Sequence, residues 1–128
     1  MVVALGGMAG AACRYGLGTL ISTTPGDVPW DTFVENVAGA FLLGVVLSAL
    51  VRRFPGSRYL RPFLAVGFLG SFTTFSALAV EADQLIRDGQ AVLAAGYWVL
   101  SLVAGLSAAW VGIVLARSVL TAAGEHDR

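Results

Sequence analysis

The sequence contains no lysine, and it has few charges of any kind for a chain of 128 residues. Charged residues make up 12% of the chain, whereas apolar residues make up 57%. A soluble domain of this length needs more charge on its surface, so the composition indicates an integral membrane protein. The formal net charge of zero and the lack of a basic run argue against nucleic-acid binding.

Cysteine and histidine are almost absent as well. Cys13 is the one cysteine, which excludes a disulfide framework, and His126 near the C-terminus is the one histidine. The sequence shows no motif that pairs a nucleophile with a base, and no spacing typical of metal ligands. We therefore predict that the chain is not an enzyme. The N-terminus lacks a charged leader and a cleavage site, so we expect the first apolar segment to be retained.

Four apolar segments are present, and each is near the roughly 20 residues that cross the hydrocarbon core of a bilayer. They span residues 2–21, 32–51, 62–86 and 91–116. Turn-forming stretches separate them, at residues 23–29, 52–58 and 87–90. No linker is long enough to join two domains. The sequence thus predicts an all-α integral membrane protein, with residues 1–128 forming a single domain of four transmembrane helices.

The arginines predict an orientation. With four spans, the termini and the second loop lie on one side of the membrane, and six arginines are found there: Arg52, Arg53, Arg58, Arg61, Arg117 and Arg128. The opposite side has only Arg87. Because loops rich in arginine stay in the cytoplasm, both termini are predicted to be cytoplasmic, in a multi-pass protein of the plasma membrane.

Glycines are frequent within the apolar segments. The first, second and fourth segments contain Gly6, Gly10, Gly39, Gly44, Gly105 and Gly112. Small residues let helix backbones approach closely in lipid. Each glycine could simply pack helices within one chain, whereas the set as a whole favours a tightly packed oligomer.

The third segment contains the polar stretch "FLGSFTTFSAL" at residues 68–78. Glycine and hydroxyl residues at membrane depth are tolerated where they are buried in protein or line a cavity. We therefore predict a break in the third helix around Gly70 to Thr74, where unpaired backbone groups could bind an ion. The alternative is that the hydroxyls bond back to carbonyls four residues earlier and only bend the helix. These residues alone do not name the ion.

Other polar or aromatic residues within the segments have two interpretations each. Asn36 could donate to an anion, or form a hydrogen bond between helices. Phe72 and Phe75 could present polarised ring edges, or serve only in packing. Arg14 should face water or a partner, where it could concentrate anions or pair with a carboxylate such as Glu81.

Four sequence motifs occur in the same order as in a known family. They are "GGMAGAACRYGLG" at 6–18, "PWDTFVENVAGAFLLG" at 29–44, "GFLGSFTTFS" at 67–76 and "YWVLSLVAGLSAAWVG" at 97–112. Together they cover nearly the whole chain, and it resembles the small Fluc/CrcB fluoride channels. The resemblance implies an antiparallel dimer of four-helix subunits with two pores, which passes fluoride out of the cell to relieve its toxicity and rejects chloride.

The resemblance also implies roles for individual residues. Backbone carbonyls of Gly70 and Thr73 from both subunits would hold a structural sodium ion at the dimer centre. The fluoride pathway would include Asn36, Phe75, Thr74, Ser76, Tyr97, Ser101 and Glu81. Arg14 would lie in a vestibule. One departure is Leu78, which stands where the family usually has a second pore phenylalanine, so a pore that uses this position could be impaired.

The arginine bias is a second departure from the resemblance. Homodimeric members insert in both orientations and should have nearly balanced loop arginines, whereas this chain has six against one. A chain with one fixed orientation needs an oppositely oriented homologue as its antiparallel partner. Both a heterodimer of this kind and a homodimer that forms despite the bias stay open.

Two other functional classes are alternatives to a channel. A small four-helix proton-coupled multidrug exporter needs a carboxylate in a central membrane cavity, but Glu35 and Glu81 both lie toward helix ends. A non-conducting scaffold subunit would explain the glycines but not the combination of Asn36 with the hydroxyl residues. Both alternatives are therefore weaker.

Overall fold

The computed structural model describes residues 1–21 and 27–125, and the regular structure in these ranges is helical. The elements are α1 (Val2–Leu20), α2 (Trp30–Arg53), a π-helix (Pro62–Leu69), α3 (Gly70–Phe72), α4 (Phe75–Arg87) and α5 (Ala91–Glu125). Part of the first predicted turn, at 23–26, lies outside the described residues, as do His126 and Arg128.

Three helical stretches are long and apolar enough to cross a membrane: Trp30–Arg53, Pro62–Arg87 and Ala91–Ala122. The chain is therefore a multi-pass membrane protein. The first helix has 19 residues but does not belong to this set, because Arg14 and several glycines make it less apolar. Helical elements are present in all four apolar segments, whereas a bundle of four membrane-crossing helices stays a prediction.

The last helix is longer than predicted. It continues to Glu125, instead of ending near residue 116. At 1.5 Å per residue, its 35 residues extend for about 52 Å, which exceeds a hydrocarbon core of about 30 Å. Beyond the apolar part, Arg52 Nη1 donates a hydrogen bond of 3.2 Å to Thr121 Oγ1, so the end of α2 is joined to the extension of α5.

Two helix pairs are packed through glycines. Between α2 and α5, a Cβ at Gly44 would overlap the Ala109 carbonyl oxygen, and a Cβ at Gly112 would overlap that of Phe41. Between α1 and the π-helix, a Cβ at Gly10 would overlap the Phe68 carbonyl oxygen. Such close backbone approach is the main source of helix association in lipid.

Most of the glycines singled out in the sequence thus pack helices within one chain. Gly6 lies against the Phe63 carbonyl, and Gly39 lies against the side chains of Phe72 and Thr73. Gly105 differs, because a Cβ there would meet no neighbour within 4 Å. The glycines therefore account for the fold of the subunit and do not by themselves indicate an oligomer.

The buried apolar cluster is small and lies between α4 and α5. It consists of Ala82, Leu85 and Ala94, with Leu93 and Trp98 packed against it. Many large apolar side chains on the rest of α5 are exposed, among them Leu106, which is 73% exposed. An apolar surface of this extent is typical of a protein surrounded by lipid or by partner helices.

Candidate ion pathway at the helix break

The predicted break in the third apolar segment is present. Helix α3 ends at Phe72 and α4 begins at Phe75, and the two residues between them are extended. Thr73 has φ −82° and ψ 152°, and Thr74 has φ −143° and ψ 111°. A π-helix, a rare geometry often found at functional sites, leads directly into this break.

Asn36 on α2 pairs with the backbone at the break. Its Oδ1 accepts a hydrogen bond of 2.8 Å from the Thr74 amide, and its Nδ2 donates one of 3.0 Å to the Thr74 carbonyl. Of the two interpretations of Asn36, the hydrogen bond between elements is thus present. A carboxamide has two N–H groups, and this pairing uses one of them, so a donor remains for a ligand.

The hydroxyls at the break have different roles. Thr73 Oγ1 donates to the Leu69 carbonyl at 3.0 Å, which is the back-bonding alternative. Thr74 Oγ1 accepts from the Ala77 amide at 3.1 Å and so caps α4, and it lies 3.2 Å from Ser76 Oγ. Thr74 and Ser76 therefore form a continuous polar surface, whereas the hydroxyl of Thr73 is directed back into its own helix.

Two carbonyls at the break lose their helical donors. In a continuing helix, the Gly70 carbonyl would accept from the amide of Thr73 or Thr74, but these donate to the Leu69 carbonyl and to Asn36 Oδ1. In a continuing helix, the Thr73 carbonyl would accept from the Ala77 amide, but this amide donates to Thr74 Oγ1 instead. A cavity of about 310 Å³ borders Gly70, Thr73 and Asn36. Within the described ranges, no group of three or more His, Cys, Asp or Glu residues could hold a metal ion.

A second, more open cleft lies on the other side of the break. Its volume is about 520 Å³, and its polar lining comes from α1, α2, α4 and the break: Arg14, Tyr15, Thr19, Thr32, Glu35, Thr74 and Ser76. The predicted vestibule arginine thus lines the same cleft as two hydroxyls of the predicted pathway. We call this space the Arg14 cleft.

The suggested pairing of Arg14 with Glu81 is not observed. Among residues 1–21 and 27–125, the ion pair joins Arg87 Nε to Asp83 Oδ2 at 2.7 Å. Both carboxylate oxygens of Glu81 accept hydrogen bonds instead, one from Thr32 Oγ1 at 2.6 Å and one from the Tyr97 hydroxyl at 2.9 Å. Arg14 is therefore left facing the cleft.

The Glu81 hydrogen bonds join three helices at buried positions. Thr32 is 4% exposed and Tyr97 is 2% exposed. Thr32 was not among the residues predicted from the sequence. Its position four residues before Asn36 could have indicated it, because residues so spaced lie on the same face of a helix.

The aromatic residues divide between surface and interior. Phe75 is 66% exposed. Its ring lies nearly perpendicular to that of Trp98 in an edge-to-face contact, with the ring centres 5.5 Å apart. Phe72 is buried and stacks on Phe68, so it is a packing residue. Leu78, at the position of the missing phenylalanine, is 5% exposed. Ser101 lies one turn after Tyr97 and has a buried Oγ without a hydrogen-bond partner among the described residues.

Comparison with known proteins gives a consistent result. The sequence model of the family described as CrcB-like protein, Camphor Resistance (CrcB), matches residues 1–113. The chain is 48% identical to a fluoride-specific ion channel, FluC 3, of Streptomyces avermitilis, over 98% of this chain and 64% of the relative. It therefore spans less than two thirds of the length of that relative.

Two further relatives carry the same name. The chain is 41% identical to FluC 2 of Nocardia farcinica, over 91% of this chain and 84% of the relative. It is 44% identical to FluC 1 of Mycobacterium bovis, over 89% of this chain and 86% of the relative. Both are named fluoride-specific ion channels.

Proposed function

This chain belongs to the CrcB-like family, and from that membership we infer that it is a fluoride-specific ion channel that passively exports fluoride from the cytoplasm. The observation that best supports this function in the structure is the pairing of Asn36 with both backbone groups of Thr74. This pairing stabilises the break in the helix, and hydroxyl and amide donors remain beside it. An exporter or a scaffold would not require this arrangement.

Fluoride is small and strongly hydrated, so a selective pathway must replace its water with closely spaced donors. We propose that the ion passes the second N–H of Asn36 and the positively polarised ring edge of Phe75. It then meets the hydroxyls of Thr74 and Ser76 and leaves through the Arg14 cleft. The two hydroxyls, the Asn36 N–H and the Phe75 ring edge carry no fixed positive charge, which would bind the ion too tightly.

The hydroxyl of Tyr97 continues this pathway toward the end of α4. It donates to Glu81, as does Thr32, so the carboxylate orients two hydroxyls at buried positions. A passing fluoride can accept the same hydroxyl hydrogen when Tyr97 turns away from Glu81. Ser101, whose buried hydroxyl lacks a partner among the described residues, is a further donor one turn away.

The break also fits a structural sodium ion. The carbonyls of Gly70 and Thr73 are hard oxygen donors freed from helical hydrogen bonds, which suits a small cation. A Cβ at Gly70 would come no closer than 3.9 Å to its nearest neighbour, so a second subunit can approach this backbone. When bound, sodium would supply positive charge at the dimer centre, with its remaining ligands provided by the partner subunit.

We propose an antiparallel dimer in which α1 completes four transmembrane helices and both termini are cytoplasmic. The exposed face of Phe75 and the open backbone at Gly70 would then lie toward the second subunit. The described arginines at the proposed cytoplasmic end, Arg52, Arg53, Arg58, Arg61 and Arg117, are exposed. This bias favours one orientation and therefore an oppositely oriented homologue as partner. A homodimer forms if the chain inserts both ways.

Fluoride efflux from liposomes tests the function. We expect rapid efflux of fluoride, read with a fluoride electrode, and no efflux of chloride from matched liposomes. Activity of this chain alone would show that it forms a homodimer and would overturn the heterodimer. Activity only after addition of an oppositely biased homologue would support the heterodimer, and silence of the mixture would contradict the fluoride channel itself.

A further inference from the structure

Glu35 is a buried acidic residue to which the pathway described above gives no role. It lies in the second turn of α2 and is only 5% exposed. Its Oε1 would be 3.7 Å from a Cβ at Gly18, so the carboxylate is directed toward α1. It lines the Arg14 cleft together with Thr74 and Ser76.

This carboxylate lacks the direct partners that buried charges usually have. Among the described residues, the ion pair is that of Arg87 with Asp83, and no hydrogen bond involves the Glu35 side chain. Its oxygens are not among the fully buried, unpartnered side-chain atoms of the described residues, so the carboxylate reaches the Arg14 cleft. Arg14 is the residue of opposite charge that lines the same cleft as Glu35.

Arg14 and Glu35 thus face the same cleft and compensate each other across it, not by contact. An anion in the cleft experiences the field of Arg14 reduced by that of Glu35. Without Glu35, the arginine would attract fluoride more strongly and would also hold it longer. Conduction requires that an ion bind well enough to enter and weakly enough to leave.

We propose that Glu35 is a conduction-determining residue, which offsets Arg14 and keeps fluoride binding in the Arg14 cleft weak. This inference rests on the proposed fluoride-channel function. Glu35 repels fluoride, and by this repulsion it prevents the ion from being trapped in the Arg14 cleft.

The test compares four forms of the chain in liposomes, with fluoride efflux measured over a range of fluoride concentrations. For Glu35→Gln we expect the half-saturating fluoride concentration to fall about tenfold, since one charge lining a cleft changes the local ion concentration by that order. The maximal rate should fall as well, because release slows. Arg14→Gln should raise the half-saturating concentration, and the double variant Arg14→Gln/Glu35→Gln should return toward wild type.

Asp83→Asn is the matched control, because Asp83 is exposed, lies at the same end of the molecule and does not line the cleft. It should leave the half-saturating concentration unchanged. An unchanged value for Glu35→Gln, or a double variant whose half-saturating concentration stays at that of Arg14→Gln, would overturn the role of Glu35. If Glu35→Gln does not give monodisperse protein, the comparison of Arg14→Gln with the double variant tests the same coupling. A wild-type chain that conducts no fluoride, alone or with its homologue, would instead overturn the proposed function, and this inference with it.

Discussion

The two halves of α2 contact very different surroundings. In its second half, Gly44 lies against the backbone of α5, and the nearby Phe41 carbonyl lies against Gly112. In its first half, Thr32 and Asn36 donate hydrogen bonds to Glu81 and to the helix break. One helix therefore serves as a closely packed scaffold at one end and as a polar support at the other.

The difference follows from the physics of a membrane interior. Lipid provides no hydrophobic drive between helices, so the scaffold half depends on close backbone contact. Lipid also provides no water for unpaired backbone groups, so the break persists only where Asn36 satisfies Thr74. Substitutions should accordingly affect folding in the scaffold half and ion passage in the polar half.

The largest expected effect is on the scaffold. In Gly44→Ala the new methyl would overlap the Ala109 carbonyl, and overpacking against rigid backbone should cost about 3 kcal/mol or more of unfolding free energy. The measurement is the thermal transition of the purified protein in detergent. Gly96→Ala is the control, since a Cβ there meets nothing within 4 Å, and it should be neutral or stabilising. Equal losses in both variants would contradict the close packing.

Asn36→Ala should come next and should separate stability from function. It leaves the amide and carbonyl of Thr74 without partners, at a cost of about 2 kcal/mol of unfolding free energy. Because it also removes the remaining N–H donor, we expect fluoride efflux to be abolished in protein that still purifies as a single species. Full efflux by such protein would show that Asn36 does not contribute to the pathway.

Tyr97→Phe is a smaller change, on α5, where the Tyr97 hydroxyl meets Glu81. It removes a hydrogen bond to a charged group, worth about 1.5 kcal/mol, and leaves the ring in place. Fluoride efflux should fall by about tenfold, a factor that corresponds to about 1.4 kcal/mol in the barrier. Thr32→Val removes the other hydrogen bond to Glu81 and indicates whether the carboxylate must be held from both sides. If both variants match wild type, the Glu81 hydrogen bonds are not needed for conduction.

The smallest effect should come from Arg87→Gln. Its ion pair with Asp83 is exposed on the surface, so the loss should be about 0.3–0.5 kcal/mol of unfolding free energy, with fluoride efflux unchanged. A large change in efflux would mean that charge outside the Arg14 cleft controls the ion, and would remove the distinction between the cleft and the rest of this end.

Some of this organisation could be predicted from the sequence. The break was predictable because glycines and hydroxyls cluster over a few residues of an apolar segment. The partner of Asn36 was not, because Thr74 lies 38 residues away and the pairing depends on how two helices are placed. The same limit explains why the sequence left the pairing of Arg14 with Glu81 open as an alternative: it shows two opposite charges but not the hydroxyls of Thr32 and Tyr97 between helices.

Helix ends and membrane crossings were also only partly predictable. The extension of α5 to Glu125 follows apolar residues into a segment with Arg117, where composition suggests an end but nothing breaks the helix. The first helix was expected to cross the membrane by length alone, although Arg14 lowers its apolar character. That same arginine lines the Arg14 cleft.

The central claim is that the polar surface at the break carries fluoride, and two serines test it most directly. Ser76 lines the Arg14 cleft beside Thr74, whereas Ser107 borders an apolar groove between α2 and α5. Fluoride efflux should be measured for Ser76→Ala and Ser107→Ala in liposomes where the wild-type protein conducts. We predict a loss of about tenfold for Ser76→Ala, equivalent to one lost donor, and no change for Ser107→Ala. Equal rates for the two variants would contradict a pathway along the break.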